Sequence, residues 1–283
     1  VVGAGHGDDS TTGHRQNRAA AAPWHDHRVP LNVVTFGPAS GRPVFALHGV
    51  TGHAQRWKVL AAALPDLRWH AVDLRGHGHS PWPPPWSIEQ HVADALAVLD
   101  SLGLDRTAVV GHSFGGAIAL HLARTAPERV ERLVLLDPAL GLDPQDMLES
   151  AENTRADESF PDRAAARAAK VEAWGPGVPD ELVDAELDAH LHEDGGRWRY
   201  RFCRSAVVTA WSEMARPAVV PPPGIPTLIV PAKHADYVSP DWLADCRAAA
   251  GDALTVVEVD SGHMVHLERT AEVAAAVGPF LAA

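Results

Sequence analysis

Short, nearly unbroken apolar runs alternate with amphipathic stretches along most of the chain. Pro43 to Leu47 runs into His48–Gly49, Trp69 to Val72 into Asp73, Thr107 to Val110 into Gly111, and Val130 to Leu136 into Asp137. An apolar run without polar alternation is a strand covered on both faces, as in a parallel sheet. Between these runs, Arg56 to Leu64 sets Trp57, Leu60, Ala61 and Leu64 on one helical face. Ser87 to Gln90 reads as a capping box, and its helix continues through Val92, Ala95, Leu96 and Leu99 to a stop at Gly103. Gly115 to Arg124 is a further helix. His27 to Val29 and Leu31 to Phe36 are shorter extended segments ahead of the first long run, with turns at Gly37–Pro38 and Ser40–Gly41. Strand and helix in alternation predict a doubly wound α/β domain.

After Asp137–Pro138 the alternation stops. Residues from about 142 to 215 contain helical runs and no strongly buried strand. Ala164 to Ala173 is Ala-rich and charged, and Leu182 to Leu191 repeats Leu182, Val183, Leu187 and Leu191 at helical spacing. Trp198 to Phe202 fits an extended segment or a helix start, and Ser205 to Met214 is helical again. Residues 141–220 are therefore expected to form an all-helical cap. The run Pro221–Pro222–Pro223–Gly224 closes it as a stiff linker. Then Pro226 to Val230 resumes the buried strand type, followed by a helix at Asp241 to Ala250, a strand at Leu254 to Val259 and a helix at Thr270 to Leu281. Residues 1–22 lack a useful period and are expected to be a mobile leader. The core is then 23–140 together with 221–283.

Charge narrows the partners. Lys and Arg total 24 against 36 Asp and Glu, a formal net charge of -12. Such a chain has no long-range attraction for nucleic acid or an anionic membrane, so an uncharged substrate is the expectation. No apolar run approaches the roughly 18 residues of a membrane span, and Val1 to Ala4 is too short for the apolar region of a secretory signal. No stable membrane anchor and a cytoplasmic location are expected. Cys203 and Cys246 form no CxxC or metal-ligand spacing and read as thiols of a reducing compartment. Nothing in the pattern sets the oligomeric state.

The chemistry concentrates in Gly111-His112-Ser113-Phe114-Gly115-Gly116, between an apolar strand and an apolar helix. A Ser there, with Gly two before and two after, has the form of a nucleophile elbow. The tight turn lifts Ser113 above the strand ends and puts the Phe114 amide at a helix N-terminus, facing a developing oxyanion. A Ser hydroxyl needs a base. His263, in the flexible Ser261–Gly262–His263 loop after the last strand, is the expected base; His266 is its rival and is otherwise expected in the pocket wall. Asp236, in the loop beyond the Thr227–Val230 strand, is expected to orient the imidazole, with Asp137 as the rival acid. The chain order Ser113, Asp236, His263 is the one this kind of triad follows. Val50, after Gly49, is expected to supply the second oxyanion amide, with His48 bracing that loop. Trp82, Trp86, Phe114 and Trp211 are candidates for an apolar pocket. His77 and His79 are close in sequence but lack further ligands, so no metal site is expected, and Arg75 reads as a structural ion pair.

With these residues in order, the chain resembles the α/β-hydrolase superfamily, in particular small bacterial serine esterases and lipases that carry a helical cap. The matching pieces are His48–Gly49, the run Asp73 to Ser80, the elbow from Gly111 to Gly116, Asp236 and the Ser261–His263 loop. The resemblance implies an eight-stranded, mostly parallel sheet with helices on both faces and the cap inserted after the sixth strand. It also implies an acyl-enzyme mechanism on a small ester-like substrate, with no cofactor. The same scaffold hosts cofactor-free haloperoxidases and perhydrolases, carbon–carbon bond hydrolases, and non-catalytic ligand-binding relatives, so the fold does not select among them. Relatives acting on haloalkanes or epoxides use an Asp nucleophile, and Ser113 argues against both.

Overall fold

The computed structural model describes residues 30–156 and 159–283. The expected leader, residues 1–22, and the His27–Val29 segment lie outside the described residues. The first half builds β1 (Val33–Phe36), β2 (Arg42–Leu47), α1 (Lys58–Ala63), β3 (Leu67–Val72), α2 (Ile88–Ser101), β4 (Thr107–His112), α3 (Phe114–Thr125) and β5 (Val130–Leu136). The chain then enters the cap: α4 (Pro144–Arg155), α5 (Arg163–Trp174), α6 (Asp180–His190), β6 (Leu191–Asp194), β7 (Arg197–Tyr200) and α7 (Arg204–Met214). It returns through β8 (Thr227–Val230), α8 (Pro240–Ala250), β9 (Leu254–Val256), α9 (Val265–Glu268) and α10 (Thr270–Ala282).

The main sheet has the order β1-β3-β2-β4-β5-β8-β9. Every pairing is parallel except β1 with β3. Among the described residues this is a seven-stranded sheet, not eight, and the cap leaves after the fifth strand, not the sixth. Within the apolar runs the side chains still alternate. Phe45, Leu47, Val109, Leu133 and Leu135 pack against Ile88 and Val92 of α2 and Ile118 and Leu122 of α3. Val44, Ala46, Val110, Val134 and Leu136 pack on the other face against Trp57, Leu60 and, from α10, Val273 and Val277. Both faces are thus covered, which is why these strands show no polar alternation. Each fully buried aliphatic side chain contributes about 1.5–3 kcal/mol. The last strand is shorter than its sequence suggests. β9 is an edge strand with Thr255 exposed, and only an isolated Ala232–Val259 bridge continues it.

The cap is not all-helical. β6 and β7 form an antiparallel hairpin, pairing Leu191 with Tyr200 and Asp194 with Arg197. Its turn is Gly195–Gly196, with φ of 59° and 77°. Two adjacent positive-φ residues suit a two-residue hairpin turn, and glycine adopts them without steric cost. Two different surfaces seat the cap. Met147 of α4 and Ala210 and Met214 of α7 join the cluster on the α2–α3 face. Ala166, Val183, Leu187, Leu191 and Tyr200 form a separate cluster that closes over Met264 and Leu267.

Ion pairs fix the second seat. Glu186 of α6 accepts from Arg56 Nε at 3.0 Å and Nη2 at 2.6 Å, and lies 2.7 Å from His53 Nε2. Burial alone would raise the Glu186 carboxyl, but Arg56 and His53 outweigh it and hold it well below the ordinary value.

Candidate active site

β4, the central strand, delivers Ser113 at its C-terminal end, and α3 starts on the next residue. Ser113 takes φ 54° and ψ −123°, a strained conformation outside the helical and extended regions. Close packing around the turn demands glycine. A Cβ on Gly115 would stand 2.2 Å from the Leu47 carbonyl oxygen, so only glycine lets α3 start against the end of β2. A Cβ on Gly49 would stand 2.8 Å from that of Ser113, so the β2 loop approaches the nucleophile as backbone.

The imidazole of His263 faces Ser113, its Nε2 being 2.9 Å from Oγ. Its Nδ1 is 2.6 Å from Oδ2 of Asp137. Oδ1 of Asp137 accepts from the Ala232 amide at 3.0 Å. This corrects the expectation that Asp236 orients the histidine. Asp236 is exposed on the loop after β8, while its neighbour Tyr237 turns inward and stacks on His263 with ring centroids 3.9 Å apart. On this loop the aromatic, not the carboxylate, takes the inward place. Asp137 needs no long reach. β5 lies beside β4, so a carboxylate immediately past its end is one strand from the nucleophile. Asp137 itself takes φ 40° ahead of Pro138, a left-handed conformation uncommon for a residue with a side chain.

Burial governs the electrostatics of the pair. Asp137 has no solvent exposure, and burial pushes its carboxyl up to about 7, against the Ala232 hydrogen bond. Burial, with Arg56 nearby, pushes the His263 imidazole down to about 4. Both shifts disfavour the charged forms, leaving a neutral imidazole beside Ser113.

Around this pair the structure places the remaining sequence candidates. Val50 lines the same cavity as Ser113, and Phe114 follows Ser113 in the chain; the amide of neither donates to another group among the described residues. The Phe114 ring itself is buried in the core against His91, so it lines no pocket. His48 Nδ1 donates to the Gly49 carbonyl at 2.7 Å, and its Nε2 accepts from the Leu74 amide at 2.9 Å; it braces the loop. Arg75 forms a bidentate buried pair with Asp94, at 2.7 and 2.6 Å. Cys203 and Cys246 are both free thiols.

A cavity of about 360 Å³ opens over Ser113 and His263. Of the expected pocket residues, only Trp211 lines it. Trp82 is exposed, and Trp86 donates to the Trp82 carbonyl on a separate surface hollow beside Arg155 and Arg204. His266 is buried behind the site, stacked on Trp57 and packed on His112. The walls are instead Lys170, Trp174, Tyr200 and Phe202 from the cap, with Tyr237 and Met264 from the core. Their sequence signal was weak: single aromatics in segments without strand–helix alternation. His112 was visible in the elbow but unassigned. Its Nε2 donates to the His263 carbonyl at 2.9 Å, which ties the histidine loop to the nucleophile strand.

Comparison with known proteins agrees with this architecture. Residues 44–276 match the Alpha/beta hydrolase family, and the chain belongs to that family. Among its relatives, Lipase LipV of Mycobacterium tuberculosis (strain ATCC 25618 / H37Rv) is 42% identical over 88% of this chain and 97% of its own length. Esterase YbfF of Escherichia coli (strain K12) is 28% identical over 84% of this chain and 92% of its own. Among solved structures, E-2-(Acetamidomethylene)succinate Hydrolase superposes with a TM-score of 0.78 at 24% identity, covering 91% of this chain and 97% of that one.

Proposed function

We propose that the protein hydrolyses uncharged carboxylic esters through an acyl-enzyme on Ser113. The observation that carries this is the continuous contact from Ser113 Oγ to His263 Nε2 and from His263 Nδ1 to Asp137. Ser113 Oγ attacks the ester carbonyl as His263 takes its proton. The negative charge passes to the carbonyl oxygen, which the amides of Val50 and Phe114 hold. The tetrahedral adduct collapses, the C–O bond to the alcohol breaks, and His263 Nε2 returns its proton to the leaving oxygen. Water then repeats the sequence on the acyl-enzyme, releasing acid and free Ser113. Asp137 holds Nδ1–H toward itself, so that Nε2 faces the serine as an acceptor.

The relatives named lipase and esterase support this reaction class. The partly covered, aromatic-walled cavity suits a small apolar ester. Apart from the ester and water, the chain's own residues supply each group this mechanism uses. No helix among the described residues is long and apolar enough to cross a membrane. The test is turnover of p-nitrophenyl butyrate together with stoichiometric fluorophosphonate labelling. Wild type should do both, and Ser113→Ala should do neither while keeping its fold by circular dichroism. Near-normal hydrolysis by Ser113→Ala would refute the assignment.

A further inference from the structure

A second cavity adjoins the first. It has about 560 Å³ and lies between α1 and the cap helices α5 and α6. Its apolar lining includes Val59 and Ala62 of α1, Leu182, Ala185 and Ala189 of α6, and Leu267. Arg56 and Trp174 face both cavities. Trp174 is the last residue of α5, and the Arg56 guanidinium sits 5.2 Å above its ring. The boundary between the two spaces is therefore made of side chains: the Arg56–Trp174 contact and, beside it, Lys170, which packs on the same ring and lies 3.9 Å from Glu186.

We propose that the two cavities form one elongated substrate site, in which an ester's alkyl chain runs past Trp174 into the α1–α6 cleft. This rests on the ester-hydrolase reading above and names the part of the substrate that the second cavity holds. Volume supports it. Ligand sites span about 300–1,000 Å³, and the catalytic cavity at about 360 Å³ is at the small end of that range. Adding the cleft gives room for a chain well beyond the first few carbons. The chemistry of the lining selects an apolar occupant. The charged groups at its base, Arg56, Glu186 and His53, are already bound to one another, so they call for no ionic ligand. Gln55, Lys58 and Asp188 stand exposed at its rim, and the remaining lining is aliphatic and aromatic surface, on which each buried methylene gains affinity. Trp174 is then a specificity-determining residue that sets how freely a chain passes.

The experiment measures kcat/KM along two series: p-nitrophenyl esters from acetate to laurate, and butyrate esters of alcohols from methanol to decanol. The first series lengthens the acyl side and the second the alcohol side, so together they show which chain enters the cleft. Ala185 and Ala62 are exposed on α6 and α1, so larger side chains there fill the cleft without crowding the core. Ala185→Trp and, independently, Ala62→Phe should lower the rate for the longest esters of one series at least tenfold. Acetate and butyrate rates should stay within about twofold. Trp174→Ala should raise the long-to-short ratio in that same series at least fivefold. The proposal is overturned if both cleft-filling variants, folded by thermal melting, keep the wild-type chain-length profile. It is equally overturned if they depress all lengths alike. Wild type inert toward every ester in both series would instead overturn the hydrolase reading.

Discussion

Replacing Asp137 by Asn tests the central geometry. Asp137 offers two acceptor oxygens, and both are used: Oδ1 by the Ala232 amide at 3.0 Å and Oδ2 by His263 Nδ1 at 2.6 Å. Asn fits the same space but carries one acceptor and one donor. If its oxygen keeps the Ala232 amide, its NH₂ faces Nδ1. The imidazole then answers with its other tautomer, protonated at Nε2. That proton points at Ser113 Oγ, 2.9 Å away, and the base can no longer accept. In another triad enzyme the same change costs about 10⁴ in kcat. Here a loss of about 10³–10⁴ in kcat/KM is expected, or about 4–5.5 kcal/mol of transition-state stabilisation. Asp236→Asn should stay within about threefold of wild type, because that carboxylate is exposed and makes no contact with His263 among the described residues. The assay is p-nitrophenyl butyrate hydrolysis at fixed pH, with melting curves to show both variants folded. A large loss in Asp236→Asn with near-normal activity in Asp137→Asn would refute the reasoning.

Three further outcomes follow from the same surroundings. The Asp137–His263 pair must be free of an added proton for Nε2 to accept from Ser113, and burial raises Asp137 to about 7 while it lowers His263 to about 4, so the acid limb of kcat/KM against pH should follow the pair's first protonation and lie near 7; a limb below about 5 would contradict this. His112→Phe removes the donor to the His263 carbonyl while keeping a buried ring, and should lower kcat about 10- to 100-fold with little change in KM; an unchanged kcat would mean the histidine loop holds itself. Glu186→Gln leaves Arg56 buried without its counter-ion, and should destabilise the protein by about 3–5 kcal/mol in urea unfolding; a change under 1 kcal/mol would show that the clamp seats nothing.

The parts of this molecule that were legible in its sequence are those built on periodicity and steric necessity. Unbroken apolar runs betrayed the parallel strands because both sheet faces are covered. The elbow was legible because a turn packed against a strand end accepts only small flanking residues. The cap was located by the failure of the pattern, yet its hairpin was missed. Its strands have only four residues each and a mixture of charged and apolar positions, and Gly195–Gly196 was the one signal that could have found it. The acid was misplaced for a related reason. Both Asp137 and Asp236 follow apolar strands, and the choice turns on a backbone angle and on which side chain of the Asp236–Tyr237 pair faces inward. Neither quantity has a periodicity. The pocket walls failed similarly, since Trp82 and Trp211 look alike in sequence and only the cap's packing separates them.

Among the described residues, three that are not glycine have positive φ: Thr51, Ser113 and Asp137. They sit in the loop after β2, at the end of β4 and at the end of β5, where the residues gathered around Ser113 leave the sheet. Such conformations cost about 1–3 kcal/mol each and persist only where the surroundings over-determine them. Here adjacent strand ends do so. The Ser113 amide donates to the Leu136 carbonyl, the Asp137 amide to Val230, and the Ala139 amide back to Ser113. Ser113 and Asp137 are thus locked to each other through the backbone of neighbouring strands, and His112 draws His263 onto the same frame. None of these ties involves the cap. The cap instead supplies Lys170, Trp174, Tyr200 and Trp211, the walls past which a substrate must lie. On the proposed mechanism, chemistry and selectivity therefore rest on different parts of the chain. The ends of β4 and β5 cannot shift without releasing strained backbone at Ser113 and Asp137. A cap wall can change size while the spacing from Ser113 through His263 to Asp137 stays as it is.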